Sequence, residues 1–311
     1  MNRFFTKKKL IIIGLVYFLL FTATFVVAYI KKIPNFSLEL PRIEHHETYD
    51  TIFLRSRPIT PKMLAGKPTE ILLENQFFFI PTSGYITEII PRIHGTETTA
   101  VIHHSVISHI FEEKDATCSN YFKLLFAAGK EMAVLSIPKG HGYPLKHPGS
   151  VFDIVNHFHL NEIKNEDPAK IYLEYEIKIS KEKLKPVDVL RLDADTRCDY
   201  DAAFAITPRT TLTVSNKRQL IMPYSGKVIL AGGHVHEFST GLEVSRNNKQ
   251  IMSFKPDTNA KKIIRSIPFI YPENLILNKG DKLDITTTYI NPLNAPVEGM
   301  GMVFAYLERK G

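Results

Sequence analysis

Three short histidine motifs in this 311-residue chain carry the side chains best suited to joint chemistry: His103-His104, His157-Phe158-His159 and His234-Val235-His236. Twelve histidines would give about 0.5 H-x-H pair and about 0.5 H-H pair by chance, and two of each occur. A neutral imidazole is a nitrogen ligand for a transition metal. In a strand, side chains at i and i+2 share a face, so an H-x-H pair turns two rings towards one point. Adjacent residues face opposite ways. His103 and His104 can therefore meet at one ion only where the strand is bulged or twisted. His45-His46 is assigned to chance, and His94, His109, His141 and His147 read as surface or capped-core histidines.

The type of metal follows from the other donors. The two cysteines, Cys118 and Cys198, do not form a zinc-type cluster. They either pair in an oxidising compartment or remain buried free thiols. No carboxylate lies within the histidine motifs. Imidazoles suit copper or zinc, and a nearby thioether would favour copper because soft sulfur holds the cuprous state. Met300 and Met302 could supply that sulfur at the start of the final strand pattern. Their plainer role is core packing.

Strands must position these groups. Period-two alternation is clearest from Ile171 to Ile179, where apolar side chains occupy the odd positions, as on a half-buried antiparallel strand. Further strands are predicted at Tyr85–Ile90, Ala100–Ile107, Ala133–Ile137, Val151–Leu160, Lys227–Ala231, Leu283–Tyr289 and Met302–Leu307, with Gly, Pro and Asn turns between them. Helical periodicity is scarce, and Tyr121–Met132 is its best candidate. The charged stretch Ser180-Lys181-Glu182-Lys183-Leu184-Lys185-Pro186 marks a domain junction.

From Leu10 to Ile30 the sequence carries no charge, and as a helix it would span about 31 Å, the thickness of a bilayer's hydrocarbon core. Arg3, Lys7, Lys8 and Lys9 precede it, so the N-terminus is expected in the cytoplasm and the body outside it, in a periplasm or on the lumenal or extracellular side. A cleaved signal peptide ending near Val26-Val27-Ala28 is the competing reading. With Lys31 and Lys32, these residues supply six of the formal +7 charge. The remainder is then almost neutral and gives no electrostatic case for nucleic acid.

In order, these motifs resemble the copper type II, ascorbate-dependent monooxygenases, the family of the peptidylglycine α-hydroxylating and dopamine β-hydroxylating enzymes. The resemblance rests on four stretches: Val101-Ile102-His103-His104-Ser105-Val106-Ile107, then Ile137-Pro138-Lys139-Gly140-His141-Gly142, then Phe152-Asp153-Ile154-Val155-Asn156-His157-Phe158, and Gly232-Gly233-His234-Val235-His236 with Gly241-Leu242-Glu243-Val244 after it. It covers most of residues 70–308. It implies two copper ions per chain, one held by His103, His104 and His157 and the other by His234, His236 and Met300, with the two domains facing each other across a solvent-filled gap. His159 and Met302 stay open as alternatives to His157 and Met300. It also implies dioxygen, an external electron donor such as ascorbate, and a small-molecule substrate hydroxylated at a C–H bond. The Arg and Tyr with which peptide-hydroxylating relatives grip a carboxylate are replaced by Gly232 and Phe304, which speaks against a peptide carboxylate. A non-catalytic extracytoplasmic copper-binding or copper-handling protein is the alternative.

The expected architecture is all-β: two antiparallel β-sandwich, jelly-roll-like domains preceded by one N-terminal transmembrane helix. The boundaries are 1–32 for a signal anchor that meets the lipid membrane through residues 10–30, 33–65 for a linker, 66–183 for the N-terminal copper domain and 184–311 for the C-terminal one.

Overall fold

The computed structural model describes residues 38–59, 70–110, 122–159, 170–194, 203–216, 220–259 and 264–309. These residues are nearly all β, in several sheets packed in a sandwich-like manner, with a short 3-10 turn at Thr99–Val101. Residues 10–30, Cys118 and Cys198 lie outside the described residues. Among the described residues no helix is long and apolar enough to cross a membrane.

One sheet runs in the order Leu38–Glu39, Glu70–Ile80, Ser150–His159, Ile102–Ile110, Phe122–Gly129. A larger one runs Arg42–His45, Tyr49–Arg55, Tyr172–Ser180, Gly84–His94, His141–Leu145, Lys185–Asp193, Gly301–Arg309, Gly226–Val235, Ile276–Leu277. A third is built from Thr211–Ser215, Lys282–Ile290, Ser239–Arg246 and Lys249–Phe254. The chain passes from its first half to its second at residues 181–184. There the large sheet continues without a break, because Lys185 and Pro186 pair in parallel with His141 and Gly142.

The strand Gly301–Arg309 shows how the layers share material. Met302, Phe304 and Tyr306 join the core formed by Ile86, Ile107, Phe152 and Tyr175 of the first half. Val303, Ala305 and Leu307 join the core formed by Leu192, Val228, Val244 and Ile285 of the second. Successive side chains point to opposite faces, so this strand is apolar on both sides and buried between two layers. Polar contacts follow the same path. The Tyr306 hydroxyl donates to the Leu125 carbonyl at 2.6 Å, and the Lys123 ammonium pairs with the buried Asp188 carboxylate, which also accepts from Tyr224 and Arg309.

Two sequence expectations are corrected. Residues 38–59, expected within a linker, form three strands, of which Tyr49–Arg55 pairs residue for residue with Glu174–Ser180. Ile52, Leu54 and Ile59 are fully buried, and each such side chain contributes roughly 1.5–3 kcal/mol, which an extended tether could not gain. The segment expected as a helix at 121–132 is instead the strand Phe122–Gly129, paired with Ile102–Ile110. Leu124, Leu125, Phe126 and Ala128 are all buried, so the run is apolar because both faces are covered. A continuous apolar run carries no period of its own.

Candidate metal centre

The His103-His104 problem is solved by a bulge. Ser150–His159 runs antiparallel to Ile102–Ile110, with His157 opposite His104, but the next pair is Phe158 opposite Ile102, so His103 is the extra residue. The bulge turns His103 towards its neighbour's face. Its ring centroid lies 4.8 Å from that of His104 and 4.4 Å from that of His157, and one nitrogen from each of the three rings lies within 4.8 Å of the others. The strands behind them are tied across the sandwich, where the buried Tyr175 hydroxyl donates to Ser105 Oγ and Ser105 donates to Asn156 Oδ1, each at 2.5 Å.

In the second half, His234 and His236 project from Gly226–Val235 and its end, with ring centroids 5.6 Å apart. Met302 lies directly opposite His234 in the ladder and therefore shares its face. Met300 is joined to His236 through a third residue. The fully buried Tyr289 hydroxyl accepts from the backbone N–H groups of His236 and Met300, both at 3.0 Å, and donates to the Met300 carbonyl. Both methionines are buried, at 2% exposure each.

The two halves bring their histidines together. His103 and His236 have ring centroids 4.7 Å apart, and His159 stacks on His103 at 4.4 Å. The solvent-filled gap implied by the resemblance is thus not seen here. The shared sheet and the packing of Phe122–Gly129 against the second half leave the imidazoles in contact.

Carboxylates complete the arrangement. His103 Nε2–H and His236 Nδ1–H both face Glu298 Oε1, at 3.0 and 3.2 Å, and His234 Nδ1–H faces Glu131 Oε1 at 3.4 Å. The other nitrogens of these rings, His103 Nδ1, His234 Nε2 and His236 Nε2, are buried without a hydrogen-bond partner, as is His104 Nδ1. Leaving a buried polar atom unpaired costs about 1–3 kcal/mol. Four such atoms in one cluster, on rings at most 9% exposed, fit a centre whose lone pairs are meant for a metal ion.

The electrostatics keep those lone pairs available. Burial, followed by the neighbouring imidazoles, holds His104 well below the ordinary imidazole range. Burial likewise lowers His236, against the opposing pull of Glu298. Glu298 is held well below the usual carboxylate range by the hydrogen bonds from His103 and His236. Burial acts to raise Glu131, but the hydrogen bonds from His234 and the Gly129 N–H outweigh it, and it too is lowered.

Beside the cluster lies a cavity of about 230 Å³, lined by His103, His159, His234 and His236 together with Glu131 and Glu298. Two turns frame it and are joined by an ion pair, Lys130 Nζ to Glu237 Oε1 at 2.5 Å. Each turn holds a non-glycine residue in the left-handed region, Met132 at φ 44° and Phe238 at φ 69°. Such backbone costs on the order of 1–3 kcal/mol and gathers at functional sites. Gly129 leaves room in the first turn, since a Cβ there would lie 2.5 Å from Glu131 Oε2 and 2.9 Å from His234 Cε1. A second cavity, of about 270 Å³, lies around Lys123, Lys185, Asp188 and Arg309, and no histidine lines it.

Of the sequence-predicted ligands, the five histidines His103, His104, His157, His234 and His236 are brought into one cluster. The Met300 backbone is tied to that of His236 through the Tyr289 hydroxyl, and Met302 stands opposite His234. The histidines set aside find other partners: His109 with Tyr143, His141 with Glu308, His94 stacked on Tyr172 and His45 with Asp50. His147 is exposed. Sequence reasoning missed Glu131, Glu298, Lys130 and Glu237. The nearest signal was the position of Glu298 two residues before Met300.

No family model matches the sequence, and no curated protein matches it. Among solved structures, the chain is similar to PNGF-II at 12% identity and a TM-score of 0.35, over 77% of this chain and 60% of that one. It is also similar to a Sulfolobus turreted icosahedral virus protein at 7% identity and a TM-score of 0.20, again over 77% and 60%. A Paenibacillus xanthan lyase matches at 9% identity and a TM-score of 0.23, over 85% of this chain and 25% of that one. The chain thus spans about 60% of the length of the first two, and at these TM-scores the likenesses say nothing of function.

Proposed function

We propose that this chain is a copper-dependent monooxygenase, with two sandwich domains of jelly-roll type displayed outside the cytoplasm on the apolar segment 10–30. The single observation that carries the reading is the set of four buried imidazole nitrogens without partners, two from each half, in rings whose opposite nitrogens, in three of the four cases, are satisfied by a carboxylate. That is the pattern of ligands oriented by hydrogen bonds behind them. His103, His104 and His157 would hold one ion. His234 and His236, with a thioether from Met300 or Met302, would hold the other, the sulfur favouring copper over zinc. When bound, copper supplies one-electron chemistry with dioxygen.

The chain's own groups do the rest. Glu131 and Glu298 fix which nitrogen His103, His234 and His236 present, and the neighbouring cavity admits a small molecule. A carboxylate-gripping side chain has no room at position 232, because a Cβ on Gly232 would lie 2.5 Å from the Phe269 ring, while the opposite residue is the buried Phe304. The substrate is therefore not expected to be held by a carboxylate at that point.

The test is copper content of the purified full chain, followed by ascorbate-driven oxygen uptake. About two coppers per chain are expected. Fewer than one would sink the reading. One observation favours a second reading, copper handling without turnover: the two ligand sets touch, with His103 and His236 4.7 Å apart, rather than facing across an open cleft. That reading predicts full copper loading with no uptake above that of free copper.

A further inference from the structure

Glu298 contacts an imidazole from each ligand set through one oxygen atom. Its Oε1 accepts from His103 Nε2–H, which belongs to the first half, and from His236 Nδ1–H, which belongs to the second. The residue is well anchored. It lies in the short strand Val297–Gly299, paired with Phe204–Ile206, and Gly299 allows that strand to press on the Phe204 ring, 2.5 Å from where a Cβ would sit. Its side chain is 42% exposed at the edge of the cavity, so the carboxylate keeps enough solvent to remain ionised.

The consequence lies in the tautomers. A neutral imidazole carries one proton, so a ring that donates from one nitrogen must present its lone pair at the other. His103 donates from Nε2 and is left with Nδ1. His236 donates from Nδ1 and is left with Nε2. Both remaining atoms are buried and unpaired. Without the carboxylate each ring would be free to exchange tautomers, and each exchange would turn an N–H towards the place where a ligand lone pair is needed.

We infer that Glu298 is a positioning residue that fixes the tautomers of His103 and His236 together, so that one side chain sets the donor atoms of both ligand sets. This rests on the copper reading only for its second readout. The first readout uses the metal-free full chain labelled with nitrogen-15 in its histidines. Ring-nitrogen spectra at neutral pH should show a single tautomer for His103, protonated at Nε2, and a single one for His236, protonated at Nδ1. Glu298→Ala should give mixed tautomers at both rings, and Glu298→Gln, whose amide oxygen still accepts, should restore much of the order.

The second readout is cuprous-ion titration against a competing chelator, with His104→Ala and His234→Ala backgrounds separating the two sets. Glu298→Ala should weaken each set about ten- to a hundred-fold. Glu131→Ala should weaken only the set containing His234. Unchanged tautomers in Glu298→Ala, or a change at one ring alone, would overturn the inference. If the wild-type chain takes up no copper, the copper reading fails, and the tautomers alone decide the role of Glu298. An unchanged thermal midpoint for Glu298→Gln separates loss of position from loss of fold.

Discussion

Replacing Tyr289 with Phe removes one oxygen atom and leaves the ring, which is buried edge-on to Phe204 with centroids 5.6 Å apart. That oxygen makes three backbone hydrogen bonds: it accepts from His236 N–H and Met300 N–H and donates to the Met300 carbonyl. Burial pushes the phenol up to about 12, so at neutral pH it keeps the proton that the third bond requires. The substitution leaves three buried backbone groups without a partner, each costing about 1–3 kcal/mol, or roughly 3–6 kcal/mol together when local relaxation recovers part of the loss. At about 2–4 °C per kcal/mol, Tm should fall by roughly 6–24 °C. The effect should also be local. The segments carrying His236 and Met300 lose their common tie, so cuprous affinity should drop for the set that contains His236, while the His103, His104 and His157 set stays loaded. Calorimetry and chelator titration read the two effects separately. A destabilisation below about 1 kcal/mol, or equal weakening of both sets, would refute the reasoning.

Gly129→Ala places a methyl group where Glu131 Oε2 and His234 Cε1 already sit, so one of them must move. Copper affinity of the His234 set should fall about ten-fold or more with little change in Tm, and an unchanged titration would show that the turn has slack. The acid limb of stability should depend on His109, which is buried against Tyr143 and Phe152. Burial, followed by the charges of Lys123 and Lys146, pushes this imidazole down to about 3. Its folded value lies below the ordinary 6.5, so between the two the unfolded chain binds the extra proton. Its stabilisation is complete above about pH 6.5 and is lost as pH falls towards 3, at up to about 1.4 kcal/mol per pH unit. The gap between urea midpoints at pH 7 and pH 5 should narrow in His109→Leu. If the variant keeps the wild-type slope, another group controls the limb.

The parts of this fold that were legible in the sequence are those where one face meets the core. The alternation from Ile171 to Ile179 is written in the residues because Tyr172–Ser180 buries Leu173, Tyr175, Ile177 and Ile179 and leaves Glu176 and Lys178 partly in water. Strands buried on both faces lose that signature, and this is why Phe122–Gly129 read as a helix. Residues 38–59 were obscured differently: prolines and charges between the strands dominated the composition, although Ile52 and Leu54 carry the period. For the site, the bulge at His103 could be stated as a condition from the His-His spacing, since geometry requires it. Glu131 and Glu298 could not be named, because they come from a turn and a short strand far along the chain from the rings they orient, and no spacing rule connects such residues. The contact between the two histidine groups was equally hidden. It depends on how two sheets dock, which local pattern does not encode.

The position of Gly301–Arg309 bears on how the molecule is made. Among the described strands it is the latest in chain order, yet it occupies an interior slot between Lys185–Asp193 and Gly226–Val235. Until it inserts, two sheet edges stand open and neither core is sealed, the kind of long-range pairing that slows folding and invites aggregation. Its insertion closes both edges in one step, and that step also brings Met302 opposite His234. A chain stopped short of this strand would have all its imidazoles but no completed nest, so any capacity to retain a metal ion should arise abruptly as this strand docks.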